Sequence, residues 1–482
     1  MKYRRLTASL LALFFVASAQ AQKQTIAIVN NQELTVTDLD ANARQAVEEL
    51  NAKLAQIRRD VLTAEITSLL LDLEASQRKL IADQLYDLEI ASRVTAPTDA
   101  QIDAEYRNNR KQYGDYELWL VRDGIEGKLR DEQEKKLLQD WTTKHQDRVR
   151  SVKTVDINDP KLKPGTVLAT VGQHKVTLDS LSERLKPRIF EACRQAYETE
   201  RAALDKAIDN LLLNTEAKAK SLKPDDIVRA EITDKMREPT EDEIKKYYQT
   251  FSWQFNDLAS ARTKIVAQLK KQEQERLEKA LNDCLRAGAS VRIMITELES
   301  PTQNIGTNGS PSHGNTAAPV TVVEFGDFQC YACGQMHPIV EQALKAYGDQ
   351  VRYVFRQYPL SMHRRARMAS EAALAAHAQG RFWEYSTVLF KNQGALDVPS
   401  LKKYALEVGL DGPRFNKAID ERQFAAEVRR DMREGEIHGV DIVGTPTYFI
   451  NGKRLPVKSY NLEGFKKAID EVLATSNHAK KQ

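Results

Sequence analysis

The chain has 482 residues and a near-balanced net charge of +3, so it is too long for one ordinary domain and gives no electrostatic case for a nucleic-acid partner. Its 41% hydrophobic and 29% charged content suits a soluble globular protein with a core, and aromatics at 7% argue against base-stacking platforms. Four cysteines in so long a chain, Cys193, Cys284, Cys330 and Cys333, cannot make a disulfide-rich framework.

Lys2, Arg4 and Arg5 form a basic start, Leu6 to Ala17 a short apolar stretch, and Ala19-Gln20-Ala21 a small-x-small site. This pattern predicts a secretory signal peptide over 1–21, cleaved after Ala21. The apolar stretch is about a dozen residues, short of the roughly 20 that a relaxed membrane span needs. The mature chain is then expected to be periplasmic or secreted, where thiols oxidise unless something keeps them reduced.

An internal repeat follows. Residues 27–108 align with 169–250 without a gap at a constant offset of 142, and 21 of 82 positions are identical. Chance would give about five, so a duplication is the sensible reading. Leu69-Leu70-Leu71 matches Leu211-Leu212-Leu213, Pro97-Thr98 matches Pro239-Thr240, and Tyr106 matches Tyr248. Each copy opens with a strand and turn and then becomes helical. Leu62, Ile66, Leu69, Leu70 and Leu73 hold the spacing of an apolar helical face, as do Leu204, Ile208, Leu211 and Leu212. Pro97-Thr98-Asp99 and Pro239-Thr240-Glu241 predict helix starts. A charged helix follows in each copy, near Ile125–Val149 and Ala261–Ala287, with acids and bases interleaved. Short extended pieces then close the copies, before Pro160 and Pro301. Two modules are expected, at 22–160 and 161–301.

Residues 302–318 are polar and rich in Gly and Pro, and are expected to be a flexible linker spanning roughly 22 Å. After Pro319 the pattern changes. Val320–Phe325 predicts a buried strand, a helix should start at Cys330, and Val351–Arg356 predicts a second strand. A mostly helical stretch runs over about 364–434. Thr447–Ile450, Asn451-Gly452 and Lys453–Val457 read as a hairpin, because Asn-Gly favours the tight two-residue turn. Leu462–Leu473 predicts a final amphipathic helix. The order β-α-β, helical insert, β-β-α fits a thioredoxin fold with an inserted helical subdomain over 319–475, leaving a tail at 476–482. The fold class expected for the whole is α+β and multidomain, with two mostly helical repeat modules ahead of that fold.

Cys330 falls where a strand gives way to a helix. Unpaired amides and the helix dipole there favour a thiolate, and Cys333 lies one turn further in, within reach of a mixed disulfide at Cys330. A zinc site needs two further ligands; no second pair exists, and His313 and His337 do not hold a finger spacing. Glu324, an acid in an apolar strand six residues before Cys330, is costly unless it has a role such as taking the proton of Cys333; a strand-end carboxylate reaching solvent is the plainer alternative. Asp327 reads as a turn residue. Cys193 and Cys284 both lie in the second copy, which admits a local bridge or two separate thiols.

The segment Val322–Cys333, with Cys330-Tyr331-Ala332-Cys333 at its end, resembles the active-site segment of the DsbA-like thioredoxin-fold family. So do Tyr358-Pro359-Leu360 followed by His363, Gly380-Arg381-Phe382-Trp383, Gly444-Thr445-Pro446-Thr447 and the Asn451-Gly452 turn. The resemblance implies a protein thiol–disulfide oxidoreductase with Cys330 as nucleophile, Cys333 as resolving cysteine, and Pro446 as a cis-proline packed against them. Thr445 would offer backbone groups to an extended client peptide. No metal or organic cofactor is implied; the Cys330–Cys333 disulfide carries the electrons. Strongly oxidising members carry Pro-His where this chain has Tyr-Ala, so the direction of reaction stays open. A membrane redox partner is implied, either a quinone-linked oxidase or a reductant donor.

The duplicated region resembles the N-terminal helical region of SurA-like periplasmic chaperones, carried by Pro97-Thr98…Ile102…Tyr106 and its copy Pro239-Thr240…Ile244…Tyr248. Under 20 residues separate Tyr106 from the charged helix, too few for the parvulin domain of about 90 residues usual in that family, so no prolyl isomerase activity is expected. What the resemblance implies is a surface for unfolded or partly folded exported proteins. The rival function is a peptide-binding periplasmic chaperone whose thioredoxin domain is mainly a docking module.

Overall fold

The computed structural model describes residues 25–479 except 115, 152–154, 253–254, 256 and 308. The signal peptide expected over 1–21 and the last residues of the expected tail, 480–482, lie outside the described residues. The chain is mostly helical and divides into two compact units, Met1–Leu54 with Glu191–Leu298, and Ala55–Phe190 with Glu299–Gln482.

The first copy runs β1 (Thr25–Val29), β2 (Gln32–Thr35), α1 (Ala41–Gln77), α2 (Ala82–Glu89), α3 (Asp99–Asn108), α4 (Leu118–Lys144) and β3 (Val149–Ser151). The same order returns as β4 (Val167–Val171), β5 (His174–Thr177), α5 (Ser182–Ala219), α6 (Pro224–Glu231), α7 (Glu241–Phe251), α8 (Leu258–Ala287) and β6 (Val291–Ile293). The helix starts read from Thr98 and Thr240 are capping boxes. Each threonine hydroxyl accepts the amide three residues on, and the Gln101 or Glu243 side chain accepts the cap amide at 2.8 Å.

Strand pairing crosses the expected module boundary. β1 pairs with β2 and with β6, while β4 pairs with β5 and with β3. The β1–β2 hairpin packs its Ile26, Ala27, Val29 and Leu34 on Ala203, Leu204, Ile208 and Leu212 of α5. In the other unit Val171 of β4 packs with Leu70, Leu71, Leu85 and Trp141. The hairpin of each copy therefore closes the core of the other, and modules bounded at 22–160 and 161–301 are not the compact units. The apolar faces of the two copies are near-equivalents, so the side-chain pattern that predicts each hairpin carries no information on which copy receives it. Cys193 is buried on α5 and Cys284 exposed on α8.

The last part of the chain adds β7 (Ser312–His313), β8 (Val320–Gly326), α9 (Tyr331–Tyr347) and β9 (Val351–Gln357). Then come α10 (Ala366–His377), α11 (Phe382–Lys391), α12 (Val398–Glu407), α13 (Gly412–Asp420), α14 (Ala425–Ile437) and α15 (Val440–Val443). The chain closes with β10 (Thr447–Ile450), β11 (Lys453–Arg454) and α16 (Leu462–Ala479). The sheet order is β11-β10-β8-β9-β7, with β8 and β9 parallel and the other neighbours antiparallel. Strand alternation sends Val320, Val322, Tyr353, Phe355, Tyr448 and Ile450 to one face, against α9 and the inserted helices. Val323, Phe325, Val354 and Phe449 go to the other face, with Tyr358 and Val440. Asn451 and Gly452 have φ of 45° and 80°, the left-handed pair that the Asn-Gly turn requires.

The described residues of the expected flexible linker at 302–318 are instead docked along this domain. The Gln303 amide donates to the Gly452 carbonyl at 2.9 Å, the Pro311 carbonyl accepts the Phe355 amide at 2.9 Å, and β7 is the edge strand beside β9. Gln303 and Ser310 are buried. The segment is held by these main-chain hydrogen bonds and by Gln303 to His438 at 2.9 Å, which a polar Gly- and Pro-containing composition does not announce.

Candidate active site

Cys330 is the N-cap of α9, with extended backbone (φ −69°, ψ 119°), so its sulfur stands at the N-terminal end of the helix, where the dipole favours an anion. It is 7% exposed, and Cys333, one turn on, is fully buried. Both are thiols. The Thr445-Pro446 peptide is cis, and Cys330 Sγ lies 3.3 Å from the Thr445 carbonyl oxygen. The structure thus brings Cys330, Cys333, Thr445 and Pro446 together from two segments 115 residues apart.

The two thiols are driven apart in acidity. The hydrogen bond from Cys333 is the largest influence on Cys330; it outweighs burial and, with help from the Cys333 backbone, brings Cys330 down to about 6. Burial pushes Cys333 well above the usual thiol range, and the neighbouring Cys330 and Glu324 push it the same way. Of the two sulfurs, the outer, Cys330, is the one driven toward the thiolate and the fully buried Cys333 the one driven toward the thiol.

Glu324 is 2% exposed, so the solvent-reaching alternative is excluded. Burial raises its carboxyl to about 7, against the opposing hydrogen bond donated by the Tyr353 hydroxyl. Its Oε1 stands over Gly326, where a β-carbon would fall 2.8 Å from it. The charge of Glu324 is felt at Cys333, so a buried carboxyl near neutrality lies within electrostatic reach of the buried thiol.

Asp327 does more than turn the chain. It is fully buried; Oδ1 accepts the Gln329 amide at 2.7 Å, and Oδ2 accepts the Leu360 amide and meets His363 Nδ1, both at 2.8 Å. Gln393 was not legible as a site residue. From the loop after α11 its Nε2 donates to the carbonyls of Phe328 at 3.0 Å and Cys330 at 2.7 Å, pinning the turn that carries the sulfur. A lone glutamine in a loop carries no local signal of such a bond. Among the described residues no group of three or more His, Cys, Asp or Glu side chains is placed to hold a metal ion, and no helix is long and apolar enough to cross a membrane.

A sheet of this order, with a Cys-x-x-Cys at the start of its first helix and a cis-proline facing it, defines a thioredoxin-like domain. Residues 306–471 match the family model described as Thioredoxin. Curated relatives include the Na(+)/H(+) antiporter NhaA 1 of Salinispora arenicola, 41% identical over 162 residues, which are 33% of this chain and 24% of that protein. Another is the Na(+)/H(+) antiporter NhaA of Herminiimonas arsenicoxydans, 35% identical over 142 residues, 30% of this chain and 22% of that protein. The chain thus spans about a quarter of the length of the curated relatives it matches. Similar solved structures include oxidised BdbD from Bacillus subtilis, at 25% identity and a TM-score of 0.33, covering 37% of this chain and all of that one. Wolbachia pipientis alpha-DsbA1 is similar at 19% identity and a TM-score of 0.32, covering 37% of this chain and 97% of that one.

Proposed function

We infer that this chain is an exported protein thiol–disulfide oxidoreductase acting through Cys330 and Cys333. The observation that carries the reading is Cys330 at the N-cap of α9, 3.3 Å from the Thr445 carbonyl of a cis-proline peptide, with Cys333 buried one helical turn on; the opposed acidities of the two sulfurs agree with it. The Cys330 thiolate attacks one sulfur of a client disulfide. A Cys330–client S–S bond forms, the client S–S bond breaks, and the second client sulfur leaves as a thiolate. Glu324 takes the Cys333 proton, Cys333 attacks Cys330, and the client's remaining sulfur leaves. The client gains two electrons and the Cys330–Cys333 disulfide forms. Run in reverse, the same steps oxidise a client dithiol.

In this reading Thr445 holds the client backbone, and a membrane quinone-linked oxidase or reductant donor restores the cysteine pair. Clients are unfolded or partly folded exported proteins, and the N-terminal half holds them. Exposed large apolar side chains in the helical region, Ile81, Leu88 and Trp119 in one unit and Leu222 in the other, support that last role. They equally favour the alternative of a peptide-binding chaperone whose thioredoxin-like domain only docks. Cys330→Ser separates the two. Loss of disulfide exchange with retained suppression of client aggregation supports the enzyme with a holding half, and unchanged exchange rejects the enzyme.

A further inference from the structure

The residues between the cysteines, Tyr331 and Ala332, carry no charge, yet the carboxylate of Asp327 lies close enough to Cys330 to oppose a thiolate there. The hydrogen bond from Cys333 is one offset to it, and a cation held at Asp327 is another. Asp327 is fully buried and meets His363 Nδ1 at 2.8 Å. The loop that carries His363 is seated from outside on α4. Arg364 pairs with the buried Glu126, the Ser361 hydroxyl donates to Asp131 at 2.6 Å, and Gly127 abuts Met362 so closely that a β-carbon would fall 2.6 Å from the Met362 amide nitrogen.

We propose that His363, held by α4 in its bond to Asp327, is a positioning residue that keeps Cys330 acidic, so that a helix of the N-terminal region is part of the electrostatics of the thiol site. The inference rests on the thiol-exchange reading above. The charged groups facing His363 are Asp327 and Cys330 from the β8–α9 turn and Asp123 from α4, with Arg364 and Arg365 on its own loop. Of the two arginines, Arg364 is engaged by Glu126 and Arg365 by the Gly394 carbonyl at 3.0 Å. Burial disfavours the imidazolium, but the hydrogen bond and charge of Asp327 outweigh it and raise the His363 pKa. While the ring is protonated the Asp327–His363 pair is neutral and the thiolate is unopposed. With the ring neutral or absent, a bare carboxylate stands three residues from the sulfur.

The test is the pH–rate profile of Cys330 alkylation in the reduced full-length chain, comparing wild type, His363→Gln, Gly127→Ala and the double variant. Gly127→Ala changes no charge and favours the helix itself, but it collides with the Met362 backbone and lifts α4 from the loop. Each single variant is expected to move the midpoint upward, by about one pH unit for His363→Gln. The double variant is expected to move no further than His363→Gln alone. A low wild-type midpoint that His363→Gln leaves in place overturns the proposal, as does a Gly127→Ala shift that adds in full to that of His363→Gln. A wild-type midpoint in the ordinary thiol range overturns the exchange reading, and this proposal with it.

Discussion

The Tyr353 hydroxyl donates to the Glu324 carboxylate across the two parallel central strands, with Glu324 2% and Tyr353 3% exposed. Burial raises this carboxyl to about 7 and the Tyr353 bond opposes that rise, so Glu324 is held close to neutrality within electrostatic reach of Cys333. In the proposed exchange this acid separates two steps: capture of a client needs only Cys330, whereas release needs a proton taken from Cys333.

Glu324→Gln is therefore expected to leave Cys330 alkylation nearly unchanged and to slow release of a preformed Cys330 mixed disulfide by about 100-fold, the lower range for loss of a general base. Stopped-flow release of a fluorescent peptide disulfide measures the second step alone. In the wild type that release should rise with pH through about 7, as the Glu324 carboxylate becomes available.

Stability of the reduced chain should turn with pH. Folding raises Glu324 from 4.5 to about 7, so between those values the folded state holds a proton that the unfolded state has lost. Stability then falls as pH rises, by up to about 3 kcal/mol. Folding lowers Cys330 from 9.0 to about 6, so across that window the unfolded state holds the extra proton and stability rises with pH, by up to about 4 kcal/mol. Urea unfolding across pH, followed in the near ultraviolet, checks both slopes. Glu324→Gln should remove the first and Cys330→Ser the second.

Arg356 and Asp431 form an ion pair at 3.0 Å with side chains 5% and 2% exposed, and Asp431 also accepts the Gln357 amide at 3.0 Å. Burial raises Asp431 to about 6 despite Arg356. Arg356→Met strands a buried carboxylate and should cost about 3–5 kcal/mol near pH 8. The cost should shrink near pH 5, where Asp431 takes a proton instead, and thermal unfolding at the two pH values gives the comparison.

Leu204 of α5 is fully buried against the β1–β2 hairpin. Leu204→Ala should destabilise by about 2–5 kcal/mol through lost burial and the cavity left behind. Hydrogen exchange should show the loss in residues 25–35, which lie in the other copy of the repeat. Protection there that is indifferent to Leu204 would argue against the exchanged hairpins.

The parts of this architecture legible in the sequence are those written in local pattern. Cys330 at a strand-to-helix junction, the Asn451-Gly452 turn, and the caps at Thr98 and Thr240 each depend on a few adjacent residues, and each stands where the pattern puts it. Glu324 was legible as an anomaly, because a carboxylate in an apolar strand must find a partner; that the partner is Tyr353 was not. What stayed hidden depends on contacts distant in sequence. The docking of 302–318 uses main-chain bonds and single side-chain contacts far apart in sequence, such as Gln303 to His438, which leave no side-chain periodicity. The hairpin exchange is invisible because duplicated apolar faces are interchangeable. Asp327 looked like a turn former because its Oδ1 does cap a turn, and the other oxygen's bonds to Leu360 and His363 span more than thirty residues.

The most direct measurement is mass mapping of adducts formed when reduced full-length Cys333→Ser meets an unfolded protein containing disulfides. The account predicts client polypeptides linked through Cys330 alone, persistent until a reductant is added, and none with Cys330→Ser. A folded Cys333→Ser chain that captures no client, or captures it through Cys193 or Cys284, would contradict it.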